Sequence, residues 1–193
     1  MRLISARQAW HDAFYESRSS VLAVAADKAA LGKKGRVANE THPDRKDTNG
    51  RSAHMLAAGL VQAAIRSLPK PLQHLGHFLY SPLANGVDQN RAQSFLYFSA
   101  DLPKMNKPRQ EVAYWMALAA MHSWKDMVNG REEWWPGKVI QFLADWPGFV
   151  LYAANWERDW AAIWEIFMQE LNRLDAQALV PVAQVVAAQR DAA

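Results

Sequence analysis

The chain has 193 residues, half of them hydrophobic, which is enough for one domain with a substantial core and excludes a chain disordered by composition. It contains no cysteine, which excludes a disulfide scaffold, a thiol nucleophile and any cysteine-based zinc or iron–sulfur site. The net charge is +3, but residues 1–131 carry 18 basic and 10 acidic residues (net +8), whereas residues 132–193 carry 4 and 9 (net −5). A basic front and an acidic back predict surfaces for two different partners, with ordinary solvation of helix faces as the alternative.

The N-terminal segment has no apolar signal core, and the longest unbroken apolar run, residues 112–121, is ten residues long. A membrane-spanning helix needs roughly 18 or more apolar residues. We therefore expect a soluble, cytoplasmic protein with no membrane partner.

The first predicted element is helical. Ser5 is a suitable N-cap, and Trp10 and Phe14 lie on one side of the helix that would follow it. The apolar spacing predicts one helix over residues 5–31, or two helices joined near residues 17–20.

Residues 32–51 have almost no large apolar side chain and include glycine and proline, so we predict a loop there. Its six basic and three acidic residues give a net charge of +3, enough to lie along a phosphate backbone. A solvated linker is the commoner outcome for such a segment. The candidate phosphate or RNA contacts are Lys33, Lys34, Arg36, Arg45 and Lys46.

Ser52 is the predicted cap of an amphipathic helix that stops at residues 69–71, and a short helix is predicted at residues 72–80. On that short helix His74 and His77 lie three residues apart, a spacing that suits two metal ligands. No further ligand is recognisable beside them, and the glutamate of an HExxH motif is absent. We therefore expect core or interface histidines, with no metal and no cofactor.

After the Asn85-Gly86 turn, residues 92–101 suit a buried helix, although residues 95–98 also fit a strand. A basic connector follows at residues 102–109, and the clearest long helix is predicted at residues 110–128. The connector adds Lys104, Lys107 and Arg109 to the candidate phosphate or RNA contacts.

Residues 136–164 have the layout of a helix-turn-helix, in which a first helix supports a second one against the DNA major groove. Val139, Ile140 and Leu143 recur at helical spacing and predict a buried side, opposite an outer side with Lys138, Gln141 and Asp145. Proline and glycine within residues 145–148 break the periodicity. The second helix is predicted to start near Phe149.

In that second helix Trp156, Trp160 and Trp164 are spaced four apart and are predicted to form a buried stripe with Val150 and Ala153. The other faces carry side chains that can reach base edges or phosphates, although Asp159 opposes this unless it pairs with an arginine. An ordinary two-helix corner of a bundle is the alternative interpretation. The candidate DNA-binding residues are Lys138, Gln141, Tyr152, Asn155 and Arg158.

The tryptophan helix is predicted to continue to Leu174, and a last short helix to begin at about Pro181. Together these elements predict an all-α protein, a multi-helix bundle with a helix-turn-helix in its C-terminal half. Residues 1–109 form an N-terminal helical region, and residues 110–193 the helix-turn-helix-containing region packed against it. No Walker loop, Gly-x-Gly-x-x-Gly or nucleophile elbow is present in the sequence, so we predict no catalytic residue and no enzyme.

Several short motifs carry a family resemblance across residues 68–182. They are LPKPLQHLGHFLYSP (68–82), KVIQFLADWPG (138–148), NWERDWAAIW (155–164) and LNRLDAQALVPV (171–182). In this succession the chain resembles phage and prophage late-gene transcription antitermination proteins of the Q type, and AlpA-like regulators.

The resemblance implies a helical protein that binds double-stranded DNA beside a promoter, engages RNA polymerase and promotes terminator readthrough. The basic loops would then contact phosphates or nascent RNA. Some relatives carry a cysteine-rich metal site, which this sequence does not have. Two alternatives stay open: a conventional helix-turn-helix transcriptional repressor or activator, and a helical enzyme or protein-binding module that uses the histidines.

Overall fold

A computed structural model describes residues 3–15 and 45–191 of the chain. Within these ranges every regular element is a helix and there is no strand, so the all-α class is confirmed and residues 95–98 are helical. None of the helices in the two ranges is both long and apolar enough to span a bilayer. The α-helices are α1 (Leu3–Tyr15), α2 (Arg45–Ser67), α3 (Lys70–Tyr80), α4 (Gly86–Ser99), α5 (Lys107–Val128), α6 (Pro136–Asp145), α7 (Trp156–Asp159) and α8 (Ala161–Asp191), with a 3-10 helix at Ala153–Asn155.

The described residues divide into two compact units, one drawn from residues 3–15, 45–68, 81–83 and 179–191, the other from residues 69–80 and 84–178. In the first unit α1 packs on α2, burying Trp10 and Ile65, and the Gln62 amide donates to the Ala13 carbonyl at 2.7 Å. The boundary predicted between residues 109 and 110 falls inside α5 of the second unit and stays a prediction.

In the second unit α3, α4 and α5 pack against one another, since each has a stripe of apolar side chains that water would otherwise cover. Leu75, Leu96 and Met116, one from each helix, are fully buried. Helix α4 begins with a capping box, in which the Asn85 side chain accepts from the backbone N–H of Asp88 and the Asp88 carboxylate accepts from that of Asn85.

Helix α6 starts at Pro136, as predicted, because proline lacks only an N–H that the first turn cannot use. Val139 and Leu143 are fully buried, whereas Lys138, Gln141 and Asp145 are exposed. The predicted inner and outer faces of this helix are therefore confirmed.

The second half of the predicted helix-turn-helix is not confirmed. No helix starts near Phe149: residues 148–152 are irregular, and α7 begins only at Trp156. Gly148 has φ 80°, which favours glycine, and the backbone N–H of Phe149 donates to the Leu143 carbonyl at 2.9 Å. The chain therefore turns back along the end of α6 instead of entering a new helix.

The tryptophan stripe is confirmed for Trp156, Trp160 and Trp164, all of which are buried. Val150 and Ala153 are exposed and do not belong to it, because the helical phase that would align them with the tryptophans is absent before residue 153. A stripe drawn from spacing alone extended one turn too far.

The prediction that a new helix begins at about Pro181 is also wrong, because α8 runs without interruption through that residue. A proline inside a helix removes one hydrogen bond and costs about 3 kcal/mol. Leu179 and Val182 are fully buried on either side of it, and burying such side chains contributes about 1.5–3 kcal/mol each. Packing therefore outweighs the local signal.

The loop predicted at residues 32–51 is wrong for residues 45–51, and residues 32–44 lie outside the described residues. Helix α2 begins at Arg45, so residues 45–51 are helical and Ser52 lies inside the helix instead of capping it. The helix predicted over residues 16–31 and the basic residues Lys33, Lys34 and Arg36 lie outside the described residues.

One buried polar pair joins the end of α3 to the middle of α8 in the second unit. The Tyr80 hydroxyl donates to the Asp175 carboxylate, and both side chains are buried. A buried carboxylate depends strongly on its donors, since an unsatisfied charged group inside a protein is costly.

We expect Tyr80→Phe to lower the free energy of unfolding by about 1–3 kcal/mol, because the Asp175 carboxylate loses a donor without regaining water. Urea unfolding followed by tryptophan fluorescence measures this change. Tyr152→Phe is the matched control, since its hydroxyl lies on an exposed side chain and its removal is expected to be silent. Equal stability of the two variants would contradict the role assigned to the pair.

Candidate functional site

The connector between α5 and α6 is fixed by one carboxylate. Asp126 accepts from the indole N–H of Trp134 at 2.7 Å, from Arg131 at 3.0 Å and from Lys138 at 3.2 Å. The Trp134 hydrogen bond, followed by the two cations, lowers the pKa of Asp126. The Ser123 hydroxyl also accepts from the Trp134 backbone N–H at 2.9 Å. The indole ring is therefore held in one position.

Around that indole lies an aromatic cluster centred on His122. The imidazole stacks on Trp134 with 6.2 Å between ring centroids and an interplanar angle of 11°. Its edge meets Phe78 at 5.3 Å, and Phe142 and Trp146 lie within 6.4 Å. These contacts join α3, α5 and α6 and extend to the residue that follows α6. We call His122, Trp134, Phe142, Trp146 and Phe78 the His122 cluster.

Lys125 borders the His122 cluster, and the histidine of the cluster is neutral. Lys125 donates to the Phe78 carbonyl at 2.8 Å, with its ammonium 5.0 Å from the centre of the Phe78 ring. Burial lowers the pKa of His122, and the nearby Lys125 charge lowers it further. Burial likewise lowers the pKa of Lys125. At neutral pH the imidazole is therefore uncharged and acts as an aromatic packing group.

The segment that leaves the cluster carries the most exposed apolar side chains of the site. Residues 146–152, which we call the 146–152 loop, include Trp146, Val150 and Tyr152, which are 57%, 73% and 71% exposed. Trp135, 68% exposed, lies at the other end of α6 with its ring against Gly137. The sequence pattern predicted a turn at residues 145–148 and a helix from Phe149, with Val150 in its buried stripe, and therefore did not indicate an exposed loop at residues 149–152.

The five candidate DNA-binding residues all lie on the second unit, but not on one helix. Lys138 and Gln141 are exposed on α6, Tyr152 is exposed in the loop, and Arg158 is exposed on α7. Asn155 is half-buried at the end of the 3-10 helix. No single recognition helix presents them, and their contact with DNA stays a prediction.

The two cations among these candidates, Lys138 and Arg158, are already paired within the protein. The Lys138 ammonium lies 4.1 Å from the centre of the Trp134 ring, in addition to its contact with Asp126. Arg158 donates to both carboxylate oxygens of Asp159, at 2.9 and 2.8 Å. The sequence analysis required such a pair for Asp159 to be tolerated near phosphate, and the pair is present.

The remaining basic candidates have different environments. Lys104 and Lys107 are exposed. Arg109 donates to the Asp159 carbonyl, and its guanidinium lies 5.1 Å from the centre of the Trp160 ring, so it ties the start of α5 to α7. Arg45 and Lys46 occupy the first turn of α2.

The histidine pair on α3 has an acidic neighbour that the sequence analysis did not identify. His74 Nδ1 lies 2.8 Å from the Asp88 carboxylate, fourteen residues along the chain. Burial lowers the pKa of His77. In the described ranges no group of three or more metal-ligating side chains comes together. The only hint of Asp88 in the sequence is its place three residues after Asn85, where a capping box puts an acid.

No family model, curated protein or solved structure matches this sequence. The class that the structure itself defines is a small all-α protein whose C-terminal half presents a polar helix face beside an exposed aromatic loop.

We expect Asp126→Asn to destabilise the protein at neutral pH, because the neutral amide cannot attract Arg131 and Lys138. A lowered folded pKa gives stability that is present above the unfolded value, about 4, and is lost as the pH falls through the folded value. The difference in thermal midpoint between wild type and variant should therefore be largest near pH 7 and shrink below about pH 4. A difference that persists unchanged in acid would contradict the electrostatic role.

The lowered pKa of His122 predicts a second pH dependence. Between pH 7 and 5 the unfolded chain takes up a proton near pH 6.5 that the folded imidazole resists, so stability falls as the pH falls. His122→Phe removes this effect, and its urea midpoint should decline less over that interval than the wild-type midpoint. Measurements at pH 8, where His122 is neutral in both the folded and the unfolded chain, provide the reference. Equal declines of the two urea midpoints would refute the lowered pKa of His122.

Proposed function

We propose that the protein is a DNA-binding transcription antitermination factor that engages RNA polymerase near a promoter and promotes terminator readthrough. The proposal rests on the resemblance of residues 68–182 to late-gene antitermination proteins and on one structural observation. That observation is the outward face of α6, where Lys138 and Gln141 are exposed while Val139 and Leu143 anchor the helix.

Such a face supports DNA contact because lysine neutralises phosphate and glutamine can pair with the edge of adenine in the major groove. The helix is short, and its position is fixed by the Asp126 contacts and the His122 cluster. Arg158 adds a guanidinium on α7, and Lys104 and Lys107 add exposed charge before α5. Double-stranded DNA is therefore the first partner proposed, with RNA polymerase and nascent RNA as the others.

The internal pairing of the cations sets an expectation for affinity. Lys138 and Arg158 each contact a carboxylate, and phosphate must compete with that carboxylate in water. Exposed ion pairs contribute only about 0–1 kcal/mol, so the exchange is feasible, but the gain per phosphate is small. We propose modest, salt-sensitive binding that becomes stable only together with polymerase.

A protein-binding module is the second candidate function, and a specific observation favours it. The three large apolar side chains of the 146–152 loop are exposed to solvent, as expected of a protein contact and not of a phosphate contact. A conventional repressor or activator shares the DNA surface of the first proposal and differs only in having no effect on a distant terminator.

We expect Lys138→Ala and Arg158→Ala each to weaken binding to the upstream DNA of the protein's own operon and to reduce the salt slope of log K by about one. Fluorescence anisotropy at 50–200 mM salt measures both quantities on labelled duplexes. Arg91→Ala, which removes an exposed arginine from α4, is the control and should bind normally. Equal binding by all four proteins would exclude this face as the DNA surface.

In vitro transcription then separates the regulatory mechanisms. The template carries the upstream region followed by a strong terminator, and the cognate polymerase is supplied. Readthrough that needs both the protein and the upstream DNA supports antitermination, whereas altered initiation without readthrough would replace it with conventional regulation.

A further inference from the structure

We propose that the 146–152 loop is a docking surface for a partner protein, and that it takes a segment combining apolar side chains with lysine or arginine. This inference does not depend on DNA binding. It assigns Tyr152 to a protein contact in place of the base contact predicted from the sequence.

Exposed apolar surface is concentrated in the 146–152 loop. Single exposed hydrophobic residues are common, but Trp146, Val150 and Tyr152 fall within seven residues and are each more than half exposed. Tryptophan and tyrosine are also the residues that most often dominate binding at protein interfaces, because they bury a large area with few rotatable bonds.

The 146–152 loop is held in place by contacts within the protein. The backbone N–H of Trp146 donates to the Phe142 carbonyl at 3.1 Å, that of Phe149 to Leu143 at 2.9 Å, and that of Asn155 to Tyr152 at 3.0 Å. The Trp146 ring also rests against the His122 cluster, 5.5 Å from Phe142. A loop fixed at both ends loses little conformational entropy on binding, which favours recognition.

The charge around the loop indicates the chemistry of the partner. The nineteen residues between Lys138 and Arg158 contain no lysine, arginine or histidine, and their two charged residues are Asp145 and Glu157. Both carboxylates are exposed, and neither has an ion-pair partner among the described contacts. A nucleic-acid backbone would meet only like charge here, whereas a basic segment would meet complementary charge.

The neighbouring cations, Lys138 and Arg158, lie on α6 and α7, outside the 146–152 loop. Lys138 is shared between Asp126 and the Trp134 ring, and Arg158 is held by both oxygens of Asp159. The aromatic side chains alone would suit stacking on unpaired bases, but stacking platforms are accompanied by a positive groove for the phosphates. Residues 146–152 contain no lysine, arginine or histidine to attract phosphates, and this favours a protein partner over nucleic acid.

The test is selection of a phage-displayed library of random 12-residue peptides on the immobilised full-length protein. Peptides kept by the wild type but not by the double variant Val150→Ser/Tyr152→Ser define those that need the loop. We expect them to be enriched in lysine or arginine together with apolar residues. One such peptide, synthesised with a fluorophore, should bind the double variant at least about tenfold more weakly than the wild type.

Two further variants sharpen the result. The double variant Asp145→Lys/Glu157→Lys should weaken binding of the same peptide, because it reverses the charge that is complementary to the peptide. Trp135→Ser, which removes an equally exposed tryptophan from the other end of α6, should leave its affinity unchanged. Thermal unfolding of each variant confirms that the fold is retained, as expected for substitutions of exposed side chains.

The inference is overturned if no selected peptide depends on the loop, or if those that do are acidic or uncharged. It is equally overturned if a 20-nucleotide single strand or the upstream duplex displaces the peptide, since nucleic acid would then occupy the loop. DNA binding that fails with Lys138→Ala while peptide binding persists would leave this inference intact and test only the proposed function.

Discussion

The carboxylate of Asp126 is the constraint on which the arrangement of the C-terminal half depends. It accepts from three donors on the connector and on α6, and so fixes the path between α5 and α6. The two exposed ion pairs contribute only about 0–1 kcal/mol each. The indole hydrogen bond has the larger consequence, because it holds the Trp134 ring against His122, and each aromatic pair of the cluster adds about 0.5–1.5 kcal/mol.

From that contact the orientation of α6 follows, and with it the outer surface of the site. Phe142 and Trp146 complete the His122 cluster, so Val139 and Leu143 face inward and Gln141 outward. The 146–152 loop then leaves the cluster with its backbone fixed and its large side chains in solvent. The polar face and the aromatic loop are thus two outcomes of one packing arrangement, although their chemistry suits different partners.

Much of this arrangement was predictable where the signal is local. Helix α3 was predicted at residues 72–80 and helix α5 at residues 110–128, each within three residues of its observed bounds, because apolar periodicity and proline or asparagine caps coincide there. The buried tryptophans followed from their spacing. The Asp126 contacts were not predictable, since they join residues 8 and 12 apart across an irregular connector whose path no local rule specifies.

The wrong predictions at Pro181 and Phe149 share a physical cause, which also bears on the proposed DNA contact. At Pro181 buried neighbours override a helix-breaking residue, and at Phe149 a hydrogen bond to Leu143 overrides a helix-compatible sequence. In both places contacts of the folded chain outweigh a local signal, which at Pro181 includes the roughly 3 kcal/mol cost of proline inside a helix. Without a second helix at residue 149, the side chains that can read bases are divided between α6 and α7. In the proposed DNA complex, α6 would therefore supply the major-groove contacts and Arg158 a contact to the phosphate backbone.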